Sequence, residues 1–199
     1  MNTFFRTKSC TALTGFLLLL FLMLPQFVSA QDVNISVAFY PNNVASGTPV
    51  TLTLQGKLYS GNSWFDELAK DPGGLTEDEK VIMAVVDANR SGTSVDILKL
   101  WSPDERESIA SMMSDSQMFA KNQGYYKRVT GSAFIGRVLY GDYIICLVQH
   151  DLPQSGSIIK EYPIHKVDGK YYMTNKLAND PVFMYLTQKY RQTLSLKTH

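Results

Sequence analysis

His150 and the carboxylate that follows it, Asp151, are the residues of this 199-residue chain whose types can do proton chemistry. An imidazole titrates near neutral pH, and a neighbouring carboxylate can tune it to accept or donate a proton. His150 ends the apolar run 143–150, which has the composition of a buried strand. Successive strand residues face opposite sides of a sheet, so the two side chains are not expected to meet. His150 is therefore a candidate base without a built-in partner, and the competing reading is a histidine at a sheet rim. His165 alternates with Tyr162, Ile164 and Lys166 and reads as a surface residue, and His199 ends the sequence.

A second set is aromatic. Trp101, Phe119, Tyr125, Tyr126, Phe134 and Tyr140 fall where a third helix is expected to meet the first long strand. Aromatic rings with hydroxyls suit a small apolar ligand, holding its body and orienting its polar end. The competing reading is ordinary core. The candidate ligand-binding set is Trp101, Tyr126, Phe134, Tyr140 and His150. Its weak point is strand parity: Tyr126, Arg128, Phe134 and Tyr140 share one face of a strand only if no bulge intervenes. Met112, Met113 and Met118 read as flexible core filler that could floor an adaptable pocket.

The remaining candidates are weaker. Glu77, Asp78 and Glu79, like Asp104, Glu105 and Glu107, read as acidic first turns of helices. Cys146 stands in an apolar strand and reads as an inert buried thiol. The cysteines and histidines lack metal-ligand spacing, and the chain has no nucleophile elbow, phosphate loop or dinucleotide fingerprint. No metal and no cofactor is expected, and apart from His150 no catalytic residue is singled out.

These residues need elements to place them. Val33, Ile35, Val37 and Phe39, and then Val50, Leu52 and Leu54, alternate with period two and indicate an N-terminal β extension over 31–74, with a short helix near 63–70. Asp71-Pro72-Gly73-Gly74 marks the boundary to a main domain over 75–193. That domain opens with a capping box, Thr76 and Glu79, on a helix whose inner face is Val81, Ile82, Val85 and Val86. A short helix over 94–100 follows, then a third starting at Ser102 with Glu105 as its return partner, reaching Phe119 and ending before Gly124. Strands are expected over 126–140, 143–150, 158–166 and 170–174, with turns at Gly141-Asp142 and Asp168-Gly169. Pro163 suggests an edge or a bulge. A C-terminal helix opens at Asn179-Asp180-Pro181, with Val182, Phe183, Leu186 and Tyr190 inward, and a frayed tail covers 194–199. Helices followed by an antiparallel meander give an α+β fold, with the helices on one face of a curved four-stranded antiparallel sheet.

The first thirty residues read as a secretory leader. Arg6 and Lys8 precede the apolar run 16–24, and Val28-Ser29-Ala30 offers small residues for cleavage before Gln31. The run is shorter than the roughly 20 residues a membrane span needs. Export would leave 17 basic and 18 acidic residues and Cys146 as the sole cysteine. A near-neutral chain without a basic patch argues against nucleic acid as a partner. The expected location is the periplasm or the extracellular space.

The order of elements, the amphipathic helix over 76–89, the Ser-Pro-Asp-Glu-Arg-Glu start at Ser102, the Tyr-Gly-Asp-Tyr hairpin at 140–143 and the Lys-Val-Asp-Gly-Lys-Tyr-Tyr segment at 166–172 resemble the NTF2-like superfamily, also called SnoaL-like or cystatin-like. The resemblance covers about 75–190. It implies a cone-shaped cavity between helices and sheet, and a family that includes isomerases, dehydratases and noncatalytic binding or dimerising modules. Two functions stay open. One is a noncatalytic exported domain that binds a partner protein or a small apolar ligand, with homodimerisation through the open sheet face as a variant. The other is a small-molecule isomerase or dehydratase with His150 as base and Tyr126 or Tyr140 steadying an oxyanion.

Overall fold

A computed structural model describes residues 29–39, 48–60 and 63–195. The expected leader lies outside them, apart from Ser29 and Ala30, as do His199 and the side chain of Tyr190. The architecture is α+β. Six antiparallel strands form one sheet in sequence order: β1 Ser29–Phe39, β2 Val50–Ser60, β3 Gly131–Tyr140, β4 Tyr143–Leu152, β5 Gly156–Val167 and β6 Lys170–Met173. The expected four-stranded sheet is thus extended by two. The N-terminal extension joins the sheet in cis, through Gly56↔Val138, Lys57↔Arg137 and Leu58↔Gly136. Between β2 and β3 run α1 Phe65–Leu68, α2 Glu77–Ser91, α3 Ser94–Lys99, α4 Arg106–Ser114 and α5 Ser116–Arg128, and α6 Pro181–Ser195 follows β6. No helix among the described residues is long and apolar enough to cross a membrane.

β4 shows why the sheet is covered on both sides. Ile144, Cys146 and Val148 enter the core beneath the helices that precede β3, while Ile145 and Leu147 enter a second core that contains Val182 and Leu186 of α6. The helices therefore do not all lie on one face. α6 covers the face that the sequence left open for a homodimer, because its apolar stripe has Ile35, Val37 and Val138 to bury against.

Three local expectations are overturned. Residues 126–128 are helical, so β3 starts at Gly131. Tyr125 and Tyr126 favour strands as residue types, but helix packing overrides that weak preference. The expected third helix is two: Asp115 breaks it and caps α5, its Oδ1 accepting from Gln117 N at 2.9 Å and Met118 N at 3.1 Å. Glu105 does not fold back on Ser102. Its carboxylate accepts from Thr174 Oγ1 at 2.6 Å and Asn175 N at 2.8 Å, which ties the start of α4 to the end of β6.

Pro163 is neither on an edge strand nor at a bulge. It pairs with Ile145 inside β5, and its carbonyl accepts from Thr174 N at 3.1 Å. Its missing N–H points to the same side, just beyond the last residue of β6, so the loss falls outside the ladder.

The turns behave as their residues require. Asp168 and Gly169 take φ of 49° and 82°, the mirror-image hairpin conformation. Gly169→Ala should cost about 1–2 kcal/mol, the price of a left-handed residue with a Cβ. Urea unfolding of the variant checks this; an unchanged midpoint would mean that the turn relaxes.

Candidate functional site

Four neutral polar side chains meet beneath α5. β3 and β4 place Ser132 opposite His150, β5 brings Tyr162, and α5 lowers Tyr126 onto them. Ser132 Oγ is 2.8 Å from His150 Nδ1, His150 Nε2 is 2.7 Å from Tyr162 Oη, and Tyr162 Oη is 3.0 Å from Tyr126 Oη. His150 is fully buried, and the ring of Tyr126 stands edge-on to it at 5.9 Å. Burial, reinforced by the Lys160 and Arg90 cations and only partly opposed by Asp151, lowers the His150 pKa to about 4. Burial pushes the Tyr126 and Tyr162 phenols up. All four groups are therefore uncharged at neutral pH. Asp151 faces away, accepting from Gln149 Nε2 at 2.9 Å and Ser157 Oγ at 2.6 Å, as strand parity requires.

Tyr126 and Tyr162 line a cavity of about 310 Å³ between α2, α3, α4, α5 and the sheet. Its walls include Trp101, Met112, Met113, Met118 and Phe119, and its other polar contributors are Asn89, Asn122 and Asn175. None of its described lining residues carries a charge. Met112 and Met118 are half exposed and mark the mouth. Asn122 Nδ2 donates to Asn89 Oδ1 at 2.6 Å, and Asn89 Nδ2 donates to Val85 O at 2.8 Å, so α5 and α2 are tied together at the wall.

The sequence candidates separate. Trp101 and Tyr126 line this cavity. His150 does not line it, and it reaches the lining through its hydrogen bond to Tyr162 and the edge-on ring of Tyr126. Phe134 is buried against Phe65, with ring centroids 4.6 Å apart, and lines a different, smaller cavity. Tyr140 packs with the core on the α6 side and donates to Asp180 Oδ2 at 3.1 Å. A bulge between Phe134 and Gly136 causes this division, because the extra residue reverses which side each later side chain faces. His165 is half-buried against Tyr143 rather than on the surface. Cys146 is buried, and burial pushes its thiol up.

Sequence reasoning missed Ser132 and Tyr162. The β4–β5 hairpin carries a signal for Tyr162, since its register returns β5 beneath the even-numbered side chains of β4. It also underrated Asp78 and Glu79. Both are buried. Asp78 Oδ2 lies 3.0 Å from Arg137 Nη1, off hydrogen-bond alignment. Glu79 accepts from Thr76 N at 2.8 Å and from the Tyr59 hydroxyl. This cluster borders the second cavity, of about 180 Å³, where Lys57 also lies. The helix start therefore also locks α2 to β2 and β3, an arrangement visible only once Arg137 is placed.

No family model and no curated protein matches the chain. A solved structure from Campylobacter jejuni, whose description proposes an NTF2-like transpeptidase, is similar at 16% identity over 49% of this chain and 97% of that one, with a TM-score of 0.41. Overlap at that level assigns neither a family nor an activity.

Proposed function

We propose that this chain is an exported domain of the NTF2-like kind that binds a small, uncharged, largely apolar ligand in the cavity beneath α4 and α5. The observation that carries the reading is the cavity itself: about 310 Å³, walled by methionines and aromatics, with tyrosine hydroxyls and asparagine amides as its polar groups. The volume lies at the small end of the usual range for ligand sites. A ligand with a full charge would lose its hydration without gaining a counter-charge. Methionine walls adapt to shape at little cost.

The partners of His150 support binding rather than turnover. A neutral imidazole has one donor and one acceptor, and Ser132 and Tyr162 occupy both. Proton transfer to His150 would have to pass through Tyr162, and Tyr140 is on the wrong side of the sheet to steady an oxyanion. A folded His150→Ala variant that loses a measured turnover would replace this reading with the enzymatic one.

The test uses N-phenyl-1-naphthylamine, an uncharged fluorophore. Its emission should rise with a dissociation constant on the order of micromolar. Met113→Trp, which fills the cavity, should weaken binding by about tenfold or more. Binding that is absent, or indifferent to the filled cavity, sinks the proposal.

A further inference from the structure

We infer that the hydrogen bonds from Ser132 through His150 and Tyr162 to Tyr126 run in one direction and end as a donor, so that the ligand carries an acceptor oxygen, a carbonyl or an ether, at Tyr126. The inference rests on the ligand-binding reading and adds the chemistry that the ligand must present.

The direction is set at the far end. Ser132 is 4% exposed, and among the described residues its Oγ has one partner, His150 Nδ1. A buried hydroxyl that does not donate forfeits the full cost of its desolvation. Ser132 therefore donates to Nδ1, which makes Nδ1 the acceptor and puts the ring proton on Nε2. Nε2–H donates to Tyr162 Oη across 2.7 Å. The Tyr162 proton is then free for Tyr126 Oη at 3.0 Å, the other partner of that hydroxyl. Tyr126 in turn has a proton left over. Among the described residues its hydroxyl has no second partner, and the space that Tyr126 lines is the cavity. Run backwards, the chain would have Tyr126 donate to Tyr162, Tyr162 to Nε2 and Nδ1–H to Ser132, which strands the Ser132 proton in the core. The forward direction strands nothing once an acceptor enters the cavity. The uncharged lining makes that acceptor a neutral oxygen rather than a carboxylate.

Two probes of one shape separate the terms: 2-acetylnaphthalene, which offers a carbonyl acceptor, and 2-isopropenylnaphthalene, which replaces the oxygen by a methylene. Calorimetric titration of the full mature chain should show the ketone binding about tenfold tighter, the difference expected for one hydrogen bond that the alkene leaves unmade. Tyr126→Phe should bring the two affinities together by weakening the ketone alone. Ser132→Ala leaves Tyr126 in place but frees the tautomer of His150, so the chain can run either way. The ketone preference should shrink, and indole, a donor-only probe, should gain affinity. This second variant does not depend on Tyr126→Phe folding, and a purely structural role for Ser132 would not weaken the ketone preference while strengthening indole binding. Equal binding of ketone and alkene by the wild type, or a preference that survives Tyr126→Phe, overturns the inference while leaving the cavity as a binding site. Failure of both probes to bind overturns the binding reading and the inference together.

Discussion

Arg137→Met is expected to destabilise the protein by about 3–5 kcal/mol, the cost of stranding a buried charge. Arg137 projects from β3 against the start of α2, where Asp78 and Glu79 are 3% and 6% exposed. Its Nη1 lies 3.0 Å from Asp78 Oδ2. Tyr59 and Thr76 N satisfy Glu79, but the described partner of the Asp78 Oδ2 charge is the arginine. Methionine keeps the length of the side chain and removes the cation, so the loss reads as charge rather than packing. The control is the double variant Arg137→Met with Asp78→Leu. A buried pair replaced as a unit is often neutral or stabilising, so the double variant should recover most of the loss. Guanidinium unfolding of both variants measures the effect. A single variant within about 1 kcal/mol of wild type would mean that water reaches the pair.

Acid should weaken the fold through His150. The imidazole titrates at about 4 in the folded protein, against an ordinary value of 6.5. Between those values the unfolded chain binds the proton and the folded one does not, so stability rises with pH across the window. The contribution is complete above pH 6.5 and is lost as pH falls toward 4. The full difference amounts to about 3 kcal/mol, at about 1.4 kcal/mol per pH unit. The interval from 6.5 to 5 lies inside the window in which only the unfolded chain protonates His150, and a variant without the imidazole isolates its share. His150→Gln keeps polar atoms beside Ser132 and Tyr162 but cannot titrate. The wild type should lose about 2 kcal/mol over that interval and the variant should not. Parallel curves for the two proteins would place the titrating group elsewhere.

What the sequence revealed and what it concealed divide along a physical line. Features set by a few adjacent residues were legible: the two-sided burial of β4 in its continuous apolar run, the mirror-image turn at Asp168-Gly169, the Gly141 turn with φ of 55°, and the return of Glu79 to Thr76 N. Features set by distant partners were not. Residues 126–128 look like a strand and fold as a helix because α5 has α2 to pack on. Glu105 looks like a capping residue, and Thr174 claims it. The acidic turn at Asp78 and Glu79 looks solvated until β2 and β3 bring Tyr59 and Arg137 over it. The candidate pocket fared likewise. Trp101 and Tyr126 were within reach of residue type alone, but Ser132 and Tyr162 require the register of two hairpins, and the separation of Phe134 from Tyr140 requires the bulge.

That bulge makes β3 two half-strands in opposite phase. Upstream of Ile135 the even-numbered residues look toward the helices and put Ser132 on His150; downstream the odd-numbered ones do, and they put Arg137 on Asp78. Ser132 and Arg137 stand five positions apart, so an unbulged strand of the same length would serve one of these clusters only by turning the other's key residue toward α6. The bulge, more than the identity of the residue in it, lets two residues at an odd spacing bring the neutral and the charged interior to one side of the sheet.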